Sequence, residues 1–485
     1  MSRHPFDDDR LNEECAVFGI HGPSDDAAAH TALGLHAMQH RGQEASGMVS
    51  FDGSQFNAHR DIGLVGDIFG SEHVMSRLKG HAAVGHNRYA TSGGTIMRNV
   101  QPLFADLEFG GFALAHNGNL TNANSLRREL VRRGSLFQST SDTEVIIHLI
   151  ATAKGESIIE RMAEALIEVE GAYSLVALTA DGVIGVRDPL GVRPLVMGRI
   201  GDSYLLASET CAFDIIGAEL VREIEPGEMV ILDGGEPRSL RIFPKQAQRF
   251  CVFEYIYFAR PDSVLEGKSV YDARKYIGHE LARESPIPAD LVVPVPDSGV
   301  PAALGFSEES GLPFEFGIIR NHYVGRTFIE PGQEIRNLGV RLKHNANSAK
   351  LKDKRVILVD DSIVRGTTSR KIVQMVRAAG ATEVHMRIAA PPIAHSCFYG
   401  VDTPEREQLM AHKMTVEEMA AHLDVDSLAF ISMDGLYRAM GEAKRNVQIP
   451  QFCDACFTGD YPTPLTDRES SDAPQLSLLT ELQKG

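Results

Sequence analysis

Two carboxylates, Asp360 and Asp361, end the apolar run Val356-Ile-Leu-Val359 and stand just ahead of the turn Ser362-Ile-Val-Arg-Gly-Thr-Thr-Ser369. A turn that opens a helix leaves backbone N–H groups unbonded, and those groups suit a phosphate. The neighbouring acids suit ribose hydroxyls or a magnesium ion, which prefers oxygen ligands and keeps several waters. Acids, glycine and hydroxyls in one turn describe a pocket for a phosphorylated sugar better than a plain acidic strand end. Ser362, Arg365, Gly366, Thr367 and Thr368 are its expected binding positions. Pro296-Asp-Ser-Gly299 is a second polar turn after an apolar run, and Asp297-Ser298 reads equally as a helix cap.

Cys15 follows an acidic leader, residues 1–14, and opens the apolar run Ala16-Val-Phe-Gly-Ile20. A thiol of ordinary pKa, about 8.5, is only a few per cent thiolate at neutral pH and needs a base. No Cys/His pair is evident nearby in sequence. If the peptide bond before Cys15 is cut, the residue's own α-amine, with a pKa of about 7.7–8.0, becomes that base. Four polar clusters adjoin other apolar runs: His40-Arg-Gly-Gln43, His86-Asn-Arg-Tyr-Ala-Thr91, His116-Asn-Gly-Asn119 and Ser139-Thr-Ser-Asp-Thr-Glu144. Taken singly each is an ordinary solvated loop. Taken together they hold what a small zwitterion such as glutamine needs: an Arg, an Asp, and donors aimed at a developing oxyanion.

Cys453-Asp-Ala-Cys456, with Cys251 and Cys397 far off in sequence, offers four thiols. Zinc, an iron–sulfur cluster and a redox pair are all open to such a set, and spacing does not choose among them. Cys211 is left over as a packed thiol. Between residues 320 and 354 there are eight Lys/Arg against three Asp/Glu. That stretch is broken by Gly325, Pro331, Gly332 and Gly339. It reads as a lid over an anionic ligand, with Arg320, Arg326, Arg336 and Lys343 supplying charge.

These groups need elements to hold them. Up to about residue 241 the chain reads as short strands (residues 15–21, 82–86, 112–115, 174–178 and 204–207) with helical spacing at 26–39 and 156–169. Stacked sheets with helices outside are expected. Farther on the pattern alternates: strands at 253–258, 291–295, 356–359 and 383–390, helices at 269–284 and 368–379. That is a parallel sheet with helices on both faces, and ligands gather at the carboxyl ends of such strands. The expected units are a leader at 1–14, a front domain at 15–245, a back domain at 246–464 and a mobile tail at 465–485.

The 485 residues are 43% hydrophobic and 23% charged, which is ordinary for a soluble globular chain of two to four domains. A formal net charge of −17 argues against nucleic acid or an anionic membrane as partner. No apolar run approaches a membrane span, and the leader lacks the apolar stretch of a secretory signal. Six cysteines are too few for a disulfide scaffold, so a cytoplasmic location is expected.

The 356–369 stretch resembles the phosphoribosyl-pyrophosphate signature of the type I phosphoribosyltransferases. With Arg320-Asn-His-Tyr-Val-Gly-Arg-Thr-Phe-Ile329, and with the front clusters, the chain from Cys15 to about Thr463 looks like a member of the amidophosphoribosyltransferase family. The resemblance implies an α+β and α/β chain: an N-terminal-nucleophile αββα sandwich, then a phosphoribosyltransferase parallel-sheet domain. It implies Cys15 as nucleophile of a class II glutamine amidotransferase, freed by removal of the leader. Arg88 would hold the glutamine carboxylate and Asp142 its amine. The Asn117 side chain and the Gly118 N–H would form the oxyanion hole, with Arg41 and Thr91 as supports. Ser298 would join Asp360 and Asp361 around one Mg2+, and Cys251, Cys397, Cys453 and Cys456 would hold one [4Fe-4S] cluster. Glutamine, phosphoribosyl pyrophosphate, inhibitory purine nucleotides and a homotetramer are the implied partners. Ammonia released in the front half would replace pyrophosphate in the back half, at the entry to purine synthesis. A different class II amidotransferase shares the front half only, and a non-catalytic nucleotide sensor would consume no glutamine.

Overall fold

The computed structural model describes residues 15–89, 96–321 and 344–469. Thr91, Arg326, Arg336 and Lys343 lie outside the described residues, as do the leader, most of the basic stretch and the chain beyond 469.

Two sheets stack in the front half. The seven-stranded one runs in the order Glu219–Glu223, Val196–Ile200, Ser203–Ala207, Ala16–His21, Ala82–Arg88, Ala45–Phe51, Phe56–Ile62. The six-stranded one runs Arg238–Arg241, Glu228–Leu232, Gly182–Arg187, Gly171–Thr179, Gly110–Leu120, Leu103–Leu107. Alternation along each strand decides which side chain goes where. Val17 joins Val49, Val84, Ala113, Val176 and Leu206 between the sheets. Its neighbours Ala16, Phe18 and Ile20 face the other way, onto Ala28 and Leu35 of helix Ala27–Ala37. Helices Thr143–Thr152 and Ile158–Ile167 cover the outer face of the second sheet, against Leu114, Leu175 and Ile184. Both faces of the central strands are therefore dry, which is why these antiparallel strands read as continuous apolar runs rather than alternating ones.

The back half is built on four parallel strands in the order Leu291–Pro294, Arg355–Asp360, Glu383–Ile388, Ser427–Phe430. Val356 to Val359 are wholly buried, as a strand covered on both faces must be. Helices Val270–Glu284, Val300–Ser310 and Thr367–Ala378 accompany them. Among the described residues no helix is long and apolar enough to cross a membrane.

Two local expectations are corrected. Residues 253–258 are not a strand but a π-helical turn, Glu254–Phe258. The cause is tertiary. Buried Arg274, from helix Val270–Glu284, donates to the carbonyls of Tyr255, Tyr257 and Ala259. In a strand those carbonyls would spread over about 13 Å, beyond one guanidinium. Residues 466–469, expected within the mobile tail, are also held in place. Thr466–Glu469 is a helical turn docked on the front half: Asp467 N donates to Thr121 O at 3.0 Å, and the Asp467 carboxylate accepts from the N–H groups of Asn124 and Ser125 at 2.7 and 2.9 Å.

Candidate active site

Cys15 sits immediately before the strand Ala16–His21, and its Sγ donates to the Tyr89 carbonyl at 3.6 Å. Burial pushes its thiol above the ordinary range; Arg88, the Tyr89 backbone contact and Arg41 pull it back, and Asp142 adds to the rise. Three of the charged residues expected around glutamine thus lie in the field of this sulfur. Arg88 ends the strand Ala82–Arg88 and is 4% exposed. Asp142 caps helix Thr143–Thr152, accepting from Thr143 N at 2.9 Å and from Leu120 N at 3.0 Å. Arg41 follows helix Ala27–Ala37 in a short helical turn, Gln39–Arg41, and is 1% exposed. Its Nε donates to the Cys15 carbonyl at 3.3 Å and its Nη atoms to Glu209 and Glu254 at 2.6–2.9 Å. Arg41 therefore braces the Cys15 backbone.

Asn117 and Gly118 lie within the strand Gly110–Leu120, opposite Ser174 and Tyr173. Asn117 is fully buried; its Nδ2 is 3.4 Å from Ser208 Oγ, and its Oδ1 has no hydrogen-bond partner among the described residues. An amide held by one long contact can give its N–H to an oxyanion. Gly118 has φ +143°, and a Cβ there would lie 2.1 Å from the Ala172 carbonyl oxygen, so only glycine fits. Beside Asp142, a cavity of about 200 Å³ is walled by Asn119, Arg127, Phe398, Asp467 and Arg468.

No histidine takes the part of base to the sulfur in these contacts. Burial drops His86 to about 3, and its Nε2–H donates to the His116 carbonyl at 3.1 Å. Burial lowers His116 as well. A neutral, hydrogen-bonded imidazole is a structural member here.

In the back half the two polar turns lie side by side. Leu291–Pro294 and Arg355–Asp360 pair in parallel, and Val295 N donates to Val359 O at 2.9 Å. Asp360 and Asp361 are 8% and 7% exposed, and Ser362 Oγ donates to Asp361. Ser298 Oγ, in the neighbouring turn, is buried with no partner among the described residues. Gly299, not Asp297 or Ser298, caps the helix Val300–Ser310. Arg320, the one described residue of those expected in the lid, ion-pairs with Asp297. Gly366 caps helix Thr367–Ala378, so Thr367 and Thr368 stand in its first turn, while Arg365 reaches sideways to Gln408 at 2.9 Å.

The four cysteines come together from three places. Phe250–Cys251 pairs in parallel with Phe452–Cys453, Cys251 opposite Cys453. The N–H groups of Ala394 and His395 donate to Cys456 O, each at 3.1 Å, and Cys397 Sγ accepts from Tyr399 N at 3.3 Å. Burial raises the thiols of Cys251, Cys453 and Cys456; Cys397 adds to the rise in all three, and Cys251 to that of the other two. Buried Arg193 lies in the field of Cys251, Cys397 and Cys453, and its cation pulls Cys251 and Cys453 back down. Among the described residues, no group of three His, Cys, Asp or Glu is placed to hold a single metal ion. Four thiols drawn from these segments are a donor set that zinc or an iron–sulfur cluster could take.

Several contributors lie outside the clusters singled out from the sequence. Glu209 and Glu254 hold Arg41; Ser208 Oγ accepts from Val17 N at 3.0 Å and faces Asn117; Arg274 lies in the field of Asp361 as well as of Glu209 and Glu254, and burial lowers it to about 10. Ser208-Glu209-Thr210 follows the apolar strand Ser203–Ala207 as the other polar clusters follow theirs, so that pattern marks it too. Arg274 is one basic residue among several on its helix.

A profile of the glutamine amidotransferase domain matches residues 86–214, and one of the phosphoribosyl transferase domain matches residues 263–394. The chain is 56% identical to the amidophosphoribosyltransferase of Rhizobium etli over 98% of its own length and 97% of that protein's. It is 49% identical to the Bacillus subtilis protein of the same name over 94% and 95%. Among solved structures it is similar to the glutamine phosphoribosylpyrophosphate amidotransferase of B. subtilis complexed with ADP and GMP. There the TM-score is 0.88 at 47% identity, covering 93% of this chain and 98% of that one.

Proposed function

The chain belongs to the amidophosphoribosyltransferase family, and from that premise we propose how its residues divide the reaction. It is a glutamine-dependent pentosyltransferase of purine synthesis: glutamine, water and phosphoribosyl pyrophosphate become phosphoribosylamine, glutamate and pyrophosphate. The observation that carries the assignment of the front half is the placement of Cys15 in the fields of Arg88, Asp142 and Arg41.

Once the leader is removed, the Cys15 α-amine takes the thiol proton and the sulfur attacks the side-chain amide carbon of glutamine. Asn117 Nδ2 and the Gly118 N–H receive the negative oxygen. Arg88 and Asp142 hold the two α-groups, with Thr91 and Arg41 as supports. Collapse expels ammonia, which carries the returned proton, and water then hydrolyses the thioester to glutamate. In the back half the first turn of helix Thr367–Ala378 binds the 5-phosphate, with Ser362, Arg365, Gly366, Thr367 and Thr368 around it. Asp360, Asp361 and Ser298 supply oxygens for one Mg2+, which when bound neutralises pyrophosphate charge. Arg320, Arg326, Arg336 and Lys343 close over the substrate and exclude water, so that ammonia meets no competitor at the sugar carbon.

Cys251, Cys397, Cys453 and Cys456 hold one [4Fe-4S] cluster, with Arg193 offsetting its negative charge. The cluster ties the C-terminal segment to the back half. The propeptide reading goes with this iron–sulfur branch of the family. Purine nucleotides as regulators, a homotetramer and a cytoplasmic location complete the proposal. The units follow at 1–14, 15–245 and 246–464, with the tail shortened by its docked first turn.

One assay tests the division of labour. Glutamate and pyrophosphate are expected in a one-to-one ratio when glutamine and phosphoribosyl pyrophosphate are both present. Glutamate without matching pyrophosphate would favour another amidotransferase; neither product would favour a sensor. Purified without air, the protein is expected to be brown with about four iron and four sulfide per chain. A colourless, iron-free preparation with full activity would remove the cluster from the account.

A further inference from the structure

The oxyanion strand of the front half is gripped by the back half. Asn119 Nδ2 donates to the carbonyl of Phe398 at 3.0 Å. Gly400, at φ +114°, lies directly against Gly118: a Cβ built on it would be 3.1 Å from Gly118 Cα and 3.3 Å from the Gly118 carbonyl carbon. The Gly118 backbone is thus flanked by the Ala172 carbonyl on the side its own Cβ would take and by Gly400 on another.

The gripping segment is itself well anchored. Cys397 N donates to Thr403 Oγ1 at 2.7 Å. Tyr399 Oη accepts from Thr463 N at 3.1 Å. Tyr461 Oη donates to Ser396 O at 2.6 Å. The Arg468 guanidinium lies 4.1 Å over the Phe398 ring, and Asp467 fastens the same turn to the front half.

We propose that residues 398–400 are a positioning segment for the glutaminase half: through Asn119 and Gly118 they fix the backbone donor of the oxyanion hole. This inference rests on the reading of Gly118 as that donor. A donor must stand 2.7–3.1 Å from where the oxyanion develops, so a shift of a few tenths of an ångström matters to the transition state and little to the bound substrate. The transferase half thereby sets the rate of ammonia release by contact alone. Asp142, which accepts from Leu120 N one residue beyond Asn119, borders the same cavity.

The test uses the full, processed chain and two variants, Gly400→Ala and Asn119→Ala. Gly400→Ala pushes on Gly118; Asn119→Ala removes the Nδ2 hydrogen bonds to the carbonyls of Phe398 and Leu120 and leaves the backbone intact. Expected are falls in kcat for glutamate formation of about 10–100-fold for Gly400→Ala and about 3–10-fold for Asn119→Ala, a fraction of what losing an oxyanion donor costs. KM for glutamine and ammonia-dependent turnover should stay within about threefold, the pattern of an interaction made only in the transition state. The inference stands if Asn119→Ala shows this split between kcat and KM at an unchanged thermal midpoint, whether or not Gly400→Ala folds. Any other result for Asn119→Ala overturns it: an unchanged kcat, a loss carried by KM, or an equal loss with ammonia. A parent chain that forms no glutamate from glutamine would instead defeat the underlying glutaminase reading.

Discussion

Cys15→Ala is expected to abolish glutamine-dependent turnover, by about 10⁴-fold or more, the scale of losing a catalytic nucleophile. Turnover with high ammonia should stay within about twofold, because the pentosyl transfer uses none of the glutaminase groups. The thiol is a demanding nucleophile in this setting. Burial raises it despite Arg88 and Arg41, so little thiolate exists at neutral pH and the proton needs a dedicated acceptor. His86, lowered to about 3, is held neutral with its Nε2–H given to a carbonyl. The proposed acceptor is a freed α-amine on Cys15, which makes leader removal part of the same expectation: chains that retain residues 1–14 should match Cys15→Ala in both assays. Measuring glutamate and pyrophosphate side by side decides it. Residual glutamine-dependent activity in Cys15→Ala would transfer the role of nucleophile elsewhere.

Asp361→Asn is expected to lower both glutamine- and ammonia-dependent synthesis by about 10²–10³-fold, the scale of losing electrostatic stabilisation in a dry site. Asp360 and Asp361 end a strand with no exposed side chain from Val356 to Val359, so their carboxylates are presented by a rigid support. Buried Arg274 lies in the field of Asp361 and keeps a compensating charge close by. Asparagine keeps the shape and removes the charge. The informative comparison is with Cys15→Ala, which should spare the ammonia reaction that Asp361→Asn destroys. Binding of phosphoribosyl pyrophosphate with and without magnesium, followed by calorimetry, should show the metal dependence weakened. Undiminished ammonia-dependent synthesis in Asp361→Asn would remove this turn from the transferase site.

Much of the architecture was legible because burial on both faces leaves a mark in one dimension. The run Val356-Ile-Leu-Val359 is apolar throughout and becomes a central parallel strand; Ala16-Val-Phe-Gly-Ile20 does the same in the sandwich. Residues 253–258 carried a similar aromatic signal and became a π-helical turn. Their fate depended on Arg274, a partner that follows them in the chain by some fifteen residues and whose need for three converging carbonyls no local pattern expresses. The first turn of the tail was missed for a related reason. Its polar residues looked solvent-bound, yet Asp467 is used as a cap for the helix Ala123–Arg132 of the other half.

The chain by itself determined which reactive groups exist and which kind of element carries each. Cys15 ahead of a strand, two acids closing another and glycine with hydroxyls opening a helix are consequences of residue type and local periodicity. Tertiary structure alone decided how those groups are held. Arg41 became the brace of the Cys15 carbonyl because Glu209 and Glu254 approach it from distant segments. Gly400 came to rest on Gly118 across the seam between the halves. Such contacts join distant parts of the chain, Arg41 with Glu254 and Gly118 with Gly400, and they depend on shape and distance, which a linear order of side chains does not contain.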